Sequence, residues 1–402
     1  MAADDIDKAD ICKADICEDY ISTENMTVGY GNTPLIRQIG IHVKRGEIVT
    51  LIGPNGAGKS TILKSIIRQL ELLGGVVYLD GSPMRAMTEN QVARRMSILM
   101  TERIRPELMT CEDVVATGRY PYTGRLGILS GTDHKKVREA IALVHGEELA
   151  GKDFSEISDG QRQRILLARA ICQEPEAIVL DEPTSFLDIR HKLELLSILK
   201  ELVRERQVAV LLSLHELDLA QKVSDHIVCV NGSSIDRCGT PEEIFTSDYI
   251  AGLYGITKGS YQPELGCLEM EAVKGTPKVF VIGGNGSGIP VYRRLQRSGI
   301  PFAAGILHEN DIDYPVAKAL AAQVISEMPF DLIRQETFDR AAAVLSGCEE
   351  VVCCLPEFGM LNAKNRDLAE LGRKLQKIPG NGCRDEDIPR NNFQNNGANN
   401  AK

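Results

Sequence analysis

The sequence predicts an α/β protein built as two unequal units in tandem, and three observations predict it. Short apolar strands alternate with amphipathic helical stretches from about Tyr20 to Ile256. A break rich in glycine, proline and charge follows, over residues 259–277. A second, shorter strand–helix alternation then opens with "KVFVIGGNGSG". The length of 402 residues exceeds the usual size of one domain, in keeping with two.

The first unit is expected over 20–258. Its buried strands are read at "EIVTLIG" (47–53), "AIVLDE" (177–182) and "VAVLLSLH" (208–215), each a short apolar run ending in a polar side chain or glycine. A long helix is read from Ile189, because Leu195, Ile198, Leu199 and Leu202 recur at three- and four-residue steps, which places them on one face. Residues 259–277 read as a linker and 278–378 as the second unit. That unit has strands "KVFVIG", "FAAGIL", "QVIS" and "EVVCCL" and helices near 290–298, 314–322, 336–346 and 363–376. Residues 1–19, with the short repeat "KADICKADIC", read as a solvated leader, and the Asn- and Gly-rich stretch 379–402 as a disordered tail.

Bulk properties exclude several classes. The net charge of −10 argues against nucleic-acid binding by electrostatics alone, so no nucleic-acid partner is expected. The 11 cysteines form no CxxC pair and read as reduced thiols rather than a zinc site. The first residues lack a basic region followed by an apolar core, so no signal peptide is read. No apolar run approaches the ~20 residues that cross a bilayer, which leaves any crossing to another chain.

The chemistry is concentrated in the first unit. "GPNGAGKST" places Gly53, Gly58, Lys59 and Ser60 on the G-x-x-x-x-G-K-[ST] spacing, between a strand and a helix. Glycines let backbone N–H groups curl round a phosphate, Lys59 supplies a positive charge, and the Ser60 hydroxyl suits Mg²⁺, a hard cation that prefers oxygen. The whole run Gly53, Pro54, Asn55, Gly56, Ala57, Gly58, Lys59, Ser60 and Thr61 is the expected phosphate cradle. Asp181, at a strand end, is expected to hold Mg²⁺ with Ser60, and Glu182 to orient or deprotonate a water. His215 ends a third buried strand near where a terminal phosphate would sit. "ISDGQ" (157–161) sets Ser158 and the Gly160 N–H at a helix start, a second phosphate grip about a hundred residues from the first.

Together these motifs, in order over roughly 20–256, resemble the ATP-binding subunit of ABC transporters. "GPNGAGKST" is similar to that family's Walker A, "ISDGQ" to its signature sequence LSGGQ, "IVLDE" to Walker B, "SFLD" (185–188) to the D-loop, and His215 to its switch histidine. Tyr30 stands where the family stacks an aromatic ring on adenine. The resemblance implies a RecA-like core with a helical subdomain, ATP and Mg²⁺ as ligands, and ATP hydrolysis with Glu182 and His215 as catalytic residues. It also accounts for the second grip: Ser158, Gly160 and Gln161 of one copy complete the ATP site of the other in a head-to-tail homodimer that sandwiches two ATP molecules. Integral-membrane permease subunits would be direct partners and an extracytoplasmic binding protein an indirect one. The chain would lie peripherally on the cytoplasmic face of the membrane.

Three positions depart from the pattern, the first being Ile157 at the opening of the signature. Asp159 adds a negative charge inside the signature. The glutamine that the family uses to ligate Mg²⁺ and sense the permease falls on Thr101, followed by Glu102, so either could supply an oxygen. "TCEDVVATGRYPYTGRLGILSGTD" resembles the helical subdomain of importers for iron–siderophore, haem and cobalamin. A soluble, non-transport ABC ATPase regulated by its C-terminal unit is the alternative. In the second unit the strand–glycine turn–helix suggests a Rossmann-like dinucleotide fold, but Ile289 occupies the place of the last glycine in G-x-G-x-x-G. A ligand-binding role and a structural or regulatory one both remain open for it.

Overall fold

A computed structural model describes residues 19–100, 108–124 and 127–378. Thr101 and Glu102 therefore lie outside the described residues, as do 1–18 of the expected leader and the expected tail. The chain divides into two compact units, the first ending at Gly255 and the second beginning at Ile256.

In the first unit, β1 (Asp19–Tyr30), β2 (Thr33–Ile39) and β3 (His42–Lys44) begin an antiparallel sheet. Asp19, assigned to the leader on sequence grounds, already belongs to β1, where its buried carboxylate meets His42 Nδ1 at 2.6 Å. β4 (Ile48–Ile52) enters a parallel sheet and leads through a glycine loop into α1 (Lys59–Ile66). β5 (Gly74–Leu79) and β6 (Ser82–Pro83) return to the antiparallel sheet, in the order β2-β1-β5-β6 with β3 also on β1. The sequence reading did not anticipate this sheet, because β1 and β2 mix polar and apolar residues without long apolar runs.

α2 (Glu89–Arg95) and β7 (Met96–Leu99) lead back to the parallel sheet. A layer of three helices follows: α3 (Cys111–Ala116), α4 (Gly131–Leu143) and α5 (Asp159–Cys172), packed on one another. Each starts with a reciprocal capping box, Thr110 with Asp113, Ser130 with Asp133 and Ser158 with Gln161, which satisfies the first helical N–H groups. The chain then runs through β8 (Ala177–Leu180), α6 (Ile189–Arg206), β9 (Ala209–Ser213), α7 (Leu217–Val223), β10 (His226–Val230) and β11 (Ile235–Gly239). Helices α8 (Pro241–Ile244) and α9 (Ser247–Tyr254) close the unit. The second sheet has the order β11-β10-β4-β9-β8-β7, parallel except for β11. Every residue of β4, β8 and β9 is buried, as continuous apolar runs covered on both faces require.

Arg119, from the "GRYP" element, pins the helical layer. Its guanidinium is buried and donates to Asp133 at 2.9 Å, to Glu174 at 2.9 Å and to the Cys172 carbonyl at 2.8 Å. Gly118 beside it admits no side chain, since a Cβ there would stand 2.4 Å from the Arg169 carbonyl.

The second unit opens with a hairpin, β12 (Ser260–Gln262) and β13 (Cys267–Glu269), inside the stretch read as a linker. Its proline and glycine make the turn, where Gly266 N donates to Pro263 O at 3.2 Å. Tyr261 is fully buried, and buried Glu269 accepts from Arg293 Nε at 3.0 Å. A parallel sheet follows: β14 (Val279–Ile282), α10 (Ile289–Arg297), β15 (Phe302–His308), α11 (Asp313–Leu320), β16 (Gln323–Glu327), α12 (Gln335–Gly347), β17 (Glu350–Cys353) and α13 (Ala363–Lys374). The strand order is β16-β15-β14-β17. Val279 and Val281 join one core with residues of α10 and α11, whereas Phe280 and Ile282 join another with residues of α12 and α13. The two-residue strand period thus produces two apolar faces covered by two helix pairs.

Arg119→Ala strands the buried Asp133 carboxylate. It is expected to destabilise the protein by about 3–5 kcal/mol in urea unfolding. Arg119→Lys should recover only part of this, because an ammonium lacks the planar fork. Hydrogen bonds from Ser130, and then Arg119, hold the Asp133 carboxyl down at about 2. Its stabilising contribution is therefore complete above the ordinary carboxylate range and is lost only as pH falls toward that value.

Candidate phosphate-binding and hydrolytic site

The site is assembled where the carboxyl ends of β4, β8 and β9 meet the start of α1. The loop from Gly53 to Gly58 leaves β4 with Gly53 at φ 146°, where a Cβ would stand 2.1 Å from the Val230 carbonyl. Only glycine fits there. Ala57 N closes a turn on Pro54 O at 3.1 Å. Gly58, at φ 97°, caps α1.

Lys59 is 5% exposed and folds back into the loop, donating to Gly53 O at 2.7 Å and Pro54 O at 3.1 Å. Burial lowers its pKa, while Glu182 and Asp181 act in the opposite direction. The ammonium is therefore held at the centre of the loop with two carboxylates close enough to act on it.

Asp181 and Glu182 follow β8 directly. Asp181 Oδ1 accepts from Ser60 Oγ at 3.0 Å and from Ser213 Oγ at 2.8 Å. Ser213, at the end of β9, also accepts the Glu182 backbone N–H at 2.9 Å. Glu182 has a left-handed φ of 48°, an uncommon conformation for a residue with a side chain. Its Oε1 pairs with His215 Nε2 and its Oε2 accepts from Ser185 Oγ at 3.1 Å. The expected grouping of Lys59, Ser60, Asp181, Glu182 and His215 is thus a single hydrogen-bonded and electrostatic cluster.

Ser60 Oγ and an Asp181 carboxylate oxygen lie 3.0 Å apart, and both are hard oxygen donors. The pair fits Mg²⁺, which takes few protein oxygens and keeps several waters. Tyr30 is 60% exposed, and its Oη is tied to Thr61 Oγ1 at 3.0 Å. Its ring therefore stands on the surface, held by the end of the phosphate loop, in keeping with stacking on a planar base.

Ser158, Gly160 and Gln161 occupy the first turn of α5. Gln161 N donates to Ser158 Oγ at 3.3 Å and Ser158 N to Gln161 Oε1 at 3.1 Å. Gly160 faces the His191 ring, which would be 3.1 Å from a Cβ there. The Asp159 carboxylate is paired with Arg162 at 2.6 Å, which offsets the charge that departs from the signature pattern. Gln163 Nε2 donates to Pro183 O at 3.1 Å, so the signature helix is bonded to the residue after Glu182.

Three residues escaped the sequence reading. Ser213 holds both carboxylate residues, Gln163 links α5 to the loop after Glu182, and Tyr254 Oη accepts the Gly53 N–H at 3.1 Å. Ser213 could have been noted as a lone polar residue inside an apolar strand. Tyr254 carried no signal, since about two hundred residues separate it from the loop it holds.

The chain matches the family model described as ABC transporter over residues 36–185, and the model of the MJ0874 family over 302–394. It is 40% identical over 291 residues to the uncharacterized ABC transporter ATP-binding protein MJ0873 of Methanocaldococcus jannaschii, covering 71% of this chain and 99% of that one. It is 36% identical to the probable siderophore transport system ATP-binding protein YusV of Bacillus subtilis, over 59% of this chain and 86% of that one. It is 29% identical over 325 residues to the cobalamin import ATP-binding protein BtuD of Halobacterium salinarum, over 79% of this chain and 81% of that one.

Ser213→Ala releases the bridge between Asp181 and the Glu182 N–H. It is expected to lower kcat by roughly 10–100-fold and to raise the Mg²⁺ concentration for half-maximal ATPase activity, with Ser213→Thr retaining most of both. Tyr254→Phe leaves the buried Gly53 N–H without its acceptor, and nucleotide titration should show ATP affinity weakened by roughly tenfold.

Proposed function

The chain belongs to the ABC transporter family of ATP-binding subunits, importer type, and we propose that it powers uptake of cobalamin or a related metal chelate. It is an ATPase. The observation that carries the reading is the cluster at the strand ends: Asp181 bonded to the phosphate-loop serine, with Glu182 beside it and paired to His215.

Each residue has a role in that reading. Tyr30 stacks on the adenine, and Gly53 to Thr61 cradle the phosphates with Lys59 on the outer ones. Ser60 and Asp181 would hold Mg²⁺, which would offset phosphate charge during transfer. Glu182 orients and deprotonates the attacking water, while His215 holds the Glu182 carboxylate and contacts the terminal phosphate.

Ser158, Gly160 and Gln161 act on the ATP of a second copy in a two-fold, head-to-tail dimer. Exposed Phe186, Ile189 and Leu193 support this, since they place apolar surface on the loop after Glu182 and along the start of α6. Permease subunits cross the membrane and an extracytoplasmic protein delivers cargo to them. This chain sits peripherally on the cytoplasmic face, and among the described residues no helix is long and apolar enough to cross.

The reach of the similarities favours cobalamin within the chelate class. The first unit contains at most 255 residues. A 325-residue alignment with the cobalamin-named relative therefore extends into the second unit, whereas the siderophore-named relative aligns over 236.

Glu182→Gln is expected to lower ATP hydrolysis by ~10²-fold or more and to trap an ATP-bound dimer, read by size-exclusion chromatography with and without ATP. The trapped protein, incubated with detergent-solubilised native membranes, should retain a stoichiometric multi-span partner. Recovery of soluble protein or nucleic acid alone would replace the importer reading with that of a soluble ABC ATPase. Normal turnover by the variant would remove Glu182 from the mechanism.

A further inference from the structure

The second unit carries a glycine loop, Gly283 to Gly288, between its inner strand β14 and helix α10. In a dinucleotide fold the amides of such a loop and the helix start receive a pyrophosphate. Here they are engaged by the chain itself. Asn285 N donates to both carboxylate oxygens of Asp311, each at 3.0 Å. Gly288 N donates to Asp313 Oδ2 at 2.8 Å. The two residues are also linked, because the Asp313 backbone N–H donates to Asp311 Oδ1 at 2.9 Å.

The glycines serve this internal arrangement. A Cβ at Gly288 would stand 2.4 Å from Tyr292 Oη and 2.8 Å from Asp313 Oδ2, and one at Gly283 would stand 2.5 Å and 3.0 Å from the same atoms. The close approach that a dinucleotide loop reserves for a ligand is used here by a buried tyrosine and a buried carboxylate. Asp313 is 0% exposed. Burial raises its carboxyl pKa, against the pull of the loop amides. Its Oδ1 and the Tyr292 hydroxyl have no hydrogen-bond partner, so the Gly288 amide is a principal compensation for burying that group.

We propose that the glycine loop of the second unit is an anion cradle filled by the chain's own Asp311 and Asp313. The loop therefore excludes a phosphate-bearing ligand. A pyrophosphate entering the loop would have to displace Asp311 from the Asn285 amide and Asp313 from the Gly288 amide. It would then face two negative charges at close range, one of them buried without its donor.

The test is amide hydrogen exchange on the full-length protein, read over 283–289, with and without millimolar NADH, NADPH or inorganic pyrophosphate. The wild-type loop should exchange slowly and show no change with any of the three. Asp311→Ala removes a half-buried side chain outside both cores and should leave the fold intact. It should accelerate exchange at Asn285 by ~10-fold or more, since that amide loses its acceptor. Added protection over 283–289 in the wild type with any of the probes would overturn the proposal. So would unchanged Asn285 exchange in Asp311→Ala. Both readouts lie in the second unit, so either failure leaves the ATPase assignment of the first unit standing.

Discussion

The carboxylate of Asp181 is the point at which the catalytic unit is tied together. It sits at the end of β8, accepts from Ser60 at the start of α1, and accepts from Ser213 at the end of β9. Three separate elements therefore present their polar ends to one another at fixed distance. Ser213 passes the constraint on by accepting the N–H of Glu182, whose left-handed backbone aims its side chain at His215. The Glu182 carboxylate is thereby held in one orientation by its own backbone and by His215. The parallel sheet provides the setting, since all three strands are buried along their length and release their polar residues at the same edge.

The helical layer depends on that edge through few bonds. Gln163 joins α5 to the Pro183 carbonyl, and the Asp188 side chain caps α6 while engaging His191. His191 in turn lies against Gly160 of the signature turn. A change at the signature turn therefore reaches the residues flanking Glu182 through two short routes. Arg119 keeps the layer itself rigid by closing Asp133, Glu174 and the Cys172 carbonyl around one guanidinium.

The second unit shows how one backbone pattern serves a different purpose when neighbouring residues change. It has a parallel sheet, a glycine turn after an inner strand and a helix start, all features of a dinucleotide fold. Two aspartates from the start of the next helix and its preceding loop reverse the meaning of the turn, since the donors that would hold a phosphate hold carboxylates. The buried Tyr292 and Asp313 beneath it need the glycines for space rather than for ligand approach.

Sequence alone determined the features encoded in short, ordered runs. These include the two-unit α/β organisation, the three buried strands of the first unit, the four parallel strands and four helices of the second, and the motif residues from Gly53 to His215. Such runs are legible because a phosphate loop needs contiguous glycines and because a strand covered on both faces needs contiguous apolar residues. The antiparallel sheet was not legible, since β1 and β2 mix polar and apolar residues with neither a long apolar run nor a regular alternation. The hairpin at 260–269 was hidden because its turn residues resemble those of a linker. Only the tertiary structure brought Ser213, Tyr254 and Gln163 to the site and filled the second unit's loop with Asp311 and Asp313. These are meetings of residues far apart in the chain or of side chains whose direction no local pattern encodes, so packing alone decides them.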